Sequence, residues 1–383
     1  MPATALSAMT ACAEGIDPSV PTPCPSDLLA VLAAVPDPRR RRGVRHRFAA
    51  VLAVAVCAVL AGARSFVAMG EWAADLPPGI RARLGLGRRA PSETTIRRLL
   101  ARVDPDALDA ALSGWLAGRC PAPEHGPRVV AIDGKTVRGA RDLDGRQVHL
   151  LAALDTTAGT VLGQVQVEGK SNEITAFPVL VKGIDLVGAL VTADATHTQR
   201  EHVELLAGLG AHWLLIVKGN QPTLHVRLKS LPWGQAPVAD QTRGKDHGRR
   251  ETRTLKVVEV KAGLDFGNAA LAIKCIRTRR TASGKQTTET VYAITDLSWH
   301  QITPAQIADA MRAHWHIENR LHWVRDVTFA EDHSRVRVGH GPAVMATLRN
   351  LAIGLHRLHG ATNIAERCRY VSRHPARAVQ LVT

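Results

Sequence analysis

Two aspartates share one kind of setting. Val129-Val130-Ala131-Ile132-Asp133 and Ala189-Leu190-Val191-Thr192-Ala193-Asp194 each read as a short apolar strand ending in a carboxylate. If the two strands are parallel neighbours, the acids emerge side by side at the edge where ligands of open α/β sheets gather. Two carboxylates held there repel each other unless a cation lies between them. Hard oxygen donors in small number suit Mg²⁺, which keeps several waters and bridges to phosphate. A third carboxylate would complete a two-metal site about 4 Å across, clamping the attacking and leaving oxygens of a phosphodiester. Glu318, in His314-Trp315-His316-Ile317-Glu318-Asn319, is the foremost candidate. Its rivals are Asp326, Glu331 and Asp332; either aspartate alone reads first as a plain strand-end or turn carboxylate, and it is the pair at matching strand ends that points to a site.

These acids need a sheet to hold them. After the first candidate strand, Val148 to Ala153 and Val161 to Val167 read as two more, with a turn at Thr156 to Gly159. Asn172 to Val181 and Thr198 to Leu209 have helical spacing, and Trp213 to Lys218 is strand-like. The order β-β-β-α-β-α-β predicts a mixed sheet, antiparallel at first and then parallel through helical crossovers. Short β-like runs follow at Leu255 to Val260, Leu271 to Ile276 and Thr288 to Ile294, an inserted β-rich module at about 219–300. From Thr303 the pattern is helical. Ile307, Met311, Trp315, Ile317, Leu321 and Val324 mark a stripe that would lay Glu318 on the sheet, with Trp315 and Trp323 read as core.

Ahead of the sheet, residues 28–120 predict a small all-α domain. Phe48 to Ala63 is a 16-residue apolar run, shorter than the roughly 20 residues a bilayer requires, and reads as a buried helix. Ser92 can cap a helix whose stripe is Ile96, Leu99, Leu100 and Val103. Residues 1–27 contain several prolines and no Lys or Arg, the mark of a weakly ordered leader.

Charge narrows the partner. The 383 residues carry 49 Lys and Arg, 39 of them Arg, against 34 Asp and Glu, a net charge of +15. Residues 37–103 net +10 and residues 243–285 net +8, while 128–242 balance to zero. Basic segments on either side of a neutral, acid-bearing sheet favour a polyanion, and Arg suits bidentate phosphate contact. The candidate DNA-binding residues are Arg39, Arg40, Arg41, Arg42, Arg45, Arg97 and Arg98 in the first segment and Arg249 and Arg250 in the second, with Lys135, Lys218, Arg320 and Arg325 near the acids. Aromatic residues make up only 4%, which argues against an extended single-strand stacking platform. The six cysteines form no C-x-x-C pair, and a reduced cytoplasmic protein is expected.

At these residues the sequence resembles the DDE transposases of bacterial insertion sequences, in the branch of the H-repeat-associated proteins. The likeness runs from about residue 28 to 370. It is carried by PDPRRRRGVRHRFAAVLAVAVCAVLAGARSF (36–66), VVAIDGKTVRGA (129–140), EGKSNEITAFPVL (168–180), VTADATHTQ (191–199), VKGNQP (217–222), DHGRRETR (246–253) and HWHIENRLHWVRDVTFAEDHSRVRVGHGPAVMATLRNLA (314–352). The resemblance implies an RNase H-like catalytic domain over 128–370, interrupted by the insertion, with Asp133, Asp194 and Glu318 as catalytic and metal-binding triad. It implies Mg²⁺, with Mn²⁺ as a substitute, and double-stranded DNA as partner, both the terminal inverted repeats and the target. A homo-oligomeric synaptic complex, no membrane, and a nucleoid-associated bacterial location follow from it. Arg325, seven residues after Glu318, is expected at a phosphate. A metal-dependent nuclease without strand transfer and an inactive, transposase-derived DNA-binding protein are the alternatives.

Overall fold

The computed structural model describes residues 27–40, 44–141, 145–167, 172–246, 249–260 and 264–383. The expected leader lies outside the described residues except for Asp27, as do Arg41 and Arg42. Six helices come first: α1 (Leu28–Ala34), α2 (Phe48–Leu60), α3 (Phe66–Ala74), α4 (Pro78–Arg83), α5 (Glu93–Leu100) and α6 (Pro105–Ala117). Ser92 caps α5 as anticipated, its Oγ accepting from the Thr95 amide. Helix α2 is apolar all round, and twelve of its thirteen residues are buried, as a helix inside a core must be. No helix among the described residues is long and apolar enough to cross a membrane.

What covers α2 comes largely from the far end of the chain. Helices α12 (Gly341–Leu358), α13 (Ile364–Ser372) and α14 (Pro375–Gln380) all touch it. Leu52, Val56, Leu100, Leu112, Leu348, Leu351 and Val379 belong to one apolar core. Residues 28–120 therefore share a core with the last helices and do not close around one of their own.

Nine strands form a single sheet in the order β3-β2-β1-β4-β5-β9-β8-β7-β6. They are β1 (Val129–Arg141), β2 (Gln147–Asp155), β3 (Thr160–Val167), β4 (Leu190–Ala193), β5 (His212–Val217), β6 (Asp240–Asp246), β7 (Arg249–Glu259), β8 (Leu271–Arg280) and β9 (Gln286–Thr295). Strands β1, β4 and β5 are parallel neighbours, and the other pairings are antiparallel. Helices α7 (Glu173–Lys182) and α8 (Arg200–Gly208) pack with Val130 and Ile132 in one core. Ala131 and Ala152, on the opposite face, join the helical core instead, the alternation expected along a strand.

The segment expected as an insertion, about 219–300, extends this sheet, because β9 pairs with β5 through Leu214–Thr295 and Val217–Tyr292. Helix α9 (Pro222–Ser230) and strand β6 were not anticipated from the sequence; β6, Asp-Gln-Thr-Arg-Gly-Lys-Asp, is an edge strand without apolar alternation. Strand β1 does not end at Asp133 but continues to Arg141 against β2. The continuous helix expected after Thr303 is broken. Helix α10 (Pro304–Ala313), started by a capping box of Thr303 and Gln306, gives way to a π-helical turn, Ile317–His322, and then α11 (Trp323–Val327).

Candidate active site

The parallel ladder between β1 and β4 ends at the pair Ile132 and Ala193. Asp133 and Asp194 are the next residues on each side. Asp194 leaves the sheet at once as cap of a 3₁₀ turn, Ala195–His197, accepting from the Thr196 amide at 2.9 Å. Glu318 is the second residue of the π turn, a distortion that often marks functional positions in helices. All three acids line one cleft of about 310 Å³, together with Lys218 and with Arg253 and Arg277 from the insertion.

The site is short of positive charge at its centre. Burial pushes the Asp133 carboxyl up to about 7, and the negative charges of Glu173, Asp194 and Glu318 push the same way. Among the described residues its ionic neighbour is His322, with Nδ1 3.5 Å from Asp133 Oδ2. Burial, with Arg325 and Lys135 nearby, drives that imidazole down to about 3. It is neutral at pH 7 and cannot balance the acid. His314, whose Nδ1 lies 3.2 Å from Thr192 Oγ1, is likewise lowered by burial to about 4.

Hard oxygen donors of this kind suit a divalent cation such as Mg²⁺: three carboxylates line the one cleft, and among the described residues no Lys or Arg forms an ion pair with Asp133. Among the described residues no three His, Cys, Asp or Glu side chains close around one point. An ion would therefore complete its shell with water and phosphate oxygens, as Mg²⁺ commonly does.

The exposed and half-buried candidate cations fall in four places. Lys218 is exposed in the cleft. Arg39, Arg40, Arg45 and Arg98 line a second cleft beside α5, with Arg102. There Arg39 is tied to Asp37 at 2.8 Å, and outside the cleft Arg97 pairs with Glu93 at 2.9 Å. Arg250 is exposed on the insertion, opposite Lys245 and Arg280, and the side chain of Arg249 lies outside the described residues. Arg320 donates to the carbonyl of Thr156 at the opposite end of the strands from Asp133.

Two expectations require correction. Arg325 is not at a surface: its side chain is 0% exposed and is bound to Glu331 at 2.8 Å and to Gln164 Oε1 at 3.0 Å. Glu331 also holds Arg349 at 2.7 Å, and the two guanidinium groups overcome burial to keep its carboxyl down at about 2. A phosphate has no route to Arg325. Lys135 is 8% exposed and committed to Asp326 at 2.7 Å, with Asp332 at 3.7 Å. The three rivals of Glu318 are thus structural ion-pair partners.

The tryptophans also differ from expectation. Trp315 is 49% exposed and lines the cleft beside Glu318, and Trp323 is 58% exposed. The sequence reading passed over His322, His314, Arg253 and Arg277 as site residues, because isolated His and Arg carry no spacing signal. On the insertion, Glu251 aligns Arg253, Arg277 and Arg279, at 2.7, 2.7 and 3.0 Å.

Comparison with known proteins gives consistent matches along the chain. Residues 29–116 match the family model described as DDE_Tnp_1-associated, and residues 124–355 match the Transposase DDE domain. YncI of Escherichia coli O157:H7, named as an inferred transposase, is 32% identical over 345 residues, covering 86% of this chain and 87% of its own. The H repeat-associated protein YhhI of E. coli K12, named in the same way, is 29% identical over 340 residues, covering 86% and 89%. A cryo-EM structure of the piggyBac transposase synaptic complex with hairpin DNA superposes with a TM-score of 0.41 at 10% identity, over 90% of this chain and 76% of that one, too shallow a likeness to build on.

Proposed function

Because the chain belongs to the DDE transposase family, we propose that it cuts DNA at transposon ends and joins the freed 3′-hydroxyl to target DNA. The observation that carries this reading is the convergence of Asp133, Asp194 and Glu318, from β1, the end of β4 and the π turn, in one cleft rimmed by Arg253 and Arg277. The order β3-β2-β1-β4-β5, with only the last three parallel, supports an RNase H-like core. On this reading residues 28–120 are the DNA-binding part, 128–370 the catalytic domain, and 219–300 its insertion.

In the first step water adds to the phosphorus at the element end, and the 3′ oxygen leaves with its bonding electrons. In the second that 3′-hydroxyl attacks a target phosphodiester; one P–O bond forms and one breaks. Asp133, Asp194 and Glu318 would hold two divalent cations, Mg²⁺ or Mn²⁺, which when bound polarise the phosphate and favour deprotonation of the attacking oxygen. Lys218, Arg253 and Arg277 line the same cleft and would take the non-bridging oxygens. A synaptic homo-oligomer on the bacterial nucleoid is part of this reading.

The test is a plasmid carrying the element's terminal inverted repeats, incubated with the protein and Mg²⁺. Joined products support the proposal. Cuts that never lead to joining show a nuclease, and binding with neither shows an inactive descendant.

A further inference from the structure

On the sheet face opposite Glu318 lies a carboxylate that the reading above does not use. Glu173 opens α7. Its Oε1 accepts from Nε2 of His149 at 2.7 Å, and its Oε2 from Nε2 of His197 at 3.2 Å. His149 sits on β2, and its Nδ1 is 2.9 Å from Thr136 Oγ1 on β1. His197 closes the 3₁₀ turn that Asp194 caps. It is buried, with its ring stacked against Phe177 and His202. One side chain thus ties together α7, the β1–β2 pair that carries Asp133, and the turn that carries Asp194.

The neighbour of Asp133 is shaped to admit this carboxylate. Successive strand residues point to opposite faces, so Gly134 faces Glu173 while Asp133 faces the helices. A Cβ on Gly134 would run into Glu173 Oε1 and come within 2.7 Å of His149 Nε2. The two imidazole donors of Glu173 hold its own carboxyl down to about 2.

We propose that Glu173, seated against Gly134 and held by His149 and His197, is a positioning residue that sets Asp133 and Asp194 at the separation a divalent cation requires. This rests on the reading of the cleft as a metal site. Asp133 and Asp194 would be the ligands; Glu173 acts through the strand and the turn that bear them.

The experiment is Mn²⁺ binding to the full chain without DNA, followed by the electron paramagnetic resonance of free Mn²⁺, alongside melting of the metal-free protein. Glu173→Ala and Gly134→Ala should each weaken Mn²⁺ binding by roughly 10- to 100-fold, the usual cost of losing an outer-shell partner. Glu173→Gln, isosteric and keeping one acceptor oxygen, should fall between them and the parent. A role confined to folding would instead lower the melting temperature and leave the affinity of the folded fraction intact, which would overturn the inference. So would parental Mn²⁺ affinity in Glu173→Gln, the deciding variant if the alanine proteins do not fold. Parental affinity in Asp133→Asn and Asp194→Asn would instead overturn the reading of the cleft itself.

Discussion

Asp133 and Asp194 stand at the same level of the sheet, each immediately past the last parallel pair, Ile132 with Ala193. Beyond that level β1 keeps only β2 as a partner, while the other chain turns away at Asp194. The notch so formed is where the cleft opens to Glu318.

Removing any one of the three acids should abolish strand cutting. Asp133→Asn, Asp194→Asn and Glu318→Gln are each expected to lower the cleavage rate by more than about 100-fold, the upper end of what an outer-shell loss costs. Single-turnover cleavage of a terminal-repeat substrate in Mg²⁺ is the measurement, with circular dichroism to confirm folding.

Arg325 should matter for stability and not for DNA contact. Arg325→Met leaves Glu331 buried with only one of its two guanidinium partners, and breaking a buried pair typically costs about 3–5 kcal/mol. Denaturant titration should show that loss, while the salt dependence of DNA binding by the folded protein stays as in the parent.

The exposed arginines should behave in the opposite way. Arg45→Ala and Arg98→Ala remove groups from the cleft beside α5 and should each reduce the slope of log affinity against log salt by about one. Fluorescence anisotropy of a duplex over a salt series reads this directly. Unchanged slopes would remove that cleft from the DNA path.

Asp109 should give the stability a pH dependence. It is buried on α6, and burial raises its carboxyl from 3.8 to about 6 despite bonds from the Gln164 amide and the Thr347 hydroxyl. Below the unfolded value both states hold the proton. Between the two values the folded state alone keeps it, so stability falls as pH rises, by roughly 3 kcal/mol in all, and levels off above the folded value. Asp109→Asn should flatten that descent in melts taken between pH 4 and 7.

The tryptophans separate by position. Trp323→Ala removes an exposed ring and should change stability by less than about 1 kcal/mol. Trp213→Ala empties a site 1% exposed and should cost about 3–5 kcal/mol.

The part of this site that could be read from the sequence is the part built by short-range pattern. Val129 to Ile132 is an uninterrupted apolar run, and Leu190 to Ala193 is apolar but for Thr192, because both faces of those strands are covered, so the acids that end the runs stand out. The continuation of β1 from Gly134 to Arg141 holds two glycines and four polar residues with no alternation, and resembles a loop. Trp323 was read as core on residue type alone, since tryptophan is on average a well-buried residue; it lies off the stripe of Ile317, Leu321 and Val324 and is 58% exposed. Arg325 turns inward, toward a carboxylate six residues on. Glu173 gave no signal, since an acid in the first turn of a helix is ordinary dipole complementarity. Its importance depends on His149 and His197, which the chain brings to it only after three strands and a helix have formed.

The helix α2 also sets a timetable. Its apolar surface is sealed by α12, which begins 281 residues further along the chain. At ordinary rates of synthesis, about 5 to 20 residues per second, that is a wait of roughly 15 to 55 s. Through that interval a nascent chain carries an apolar helix covered only by its neighbours α1 and α3. A chain stopped short of α12 would lose its oldest core as well as its newest helices.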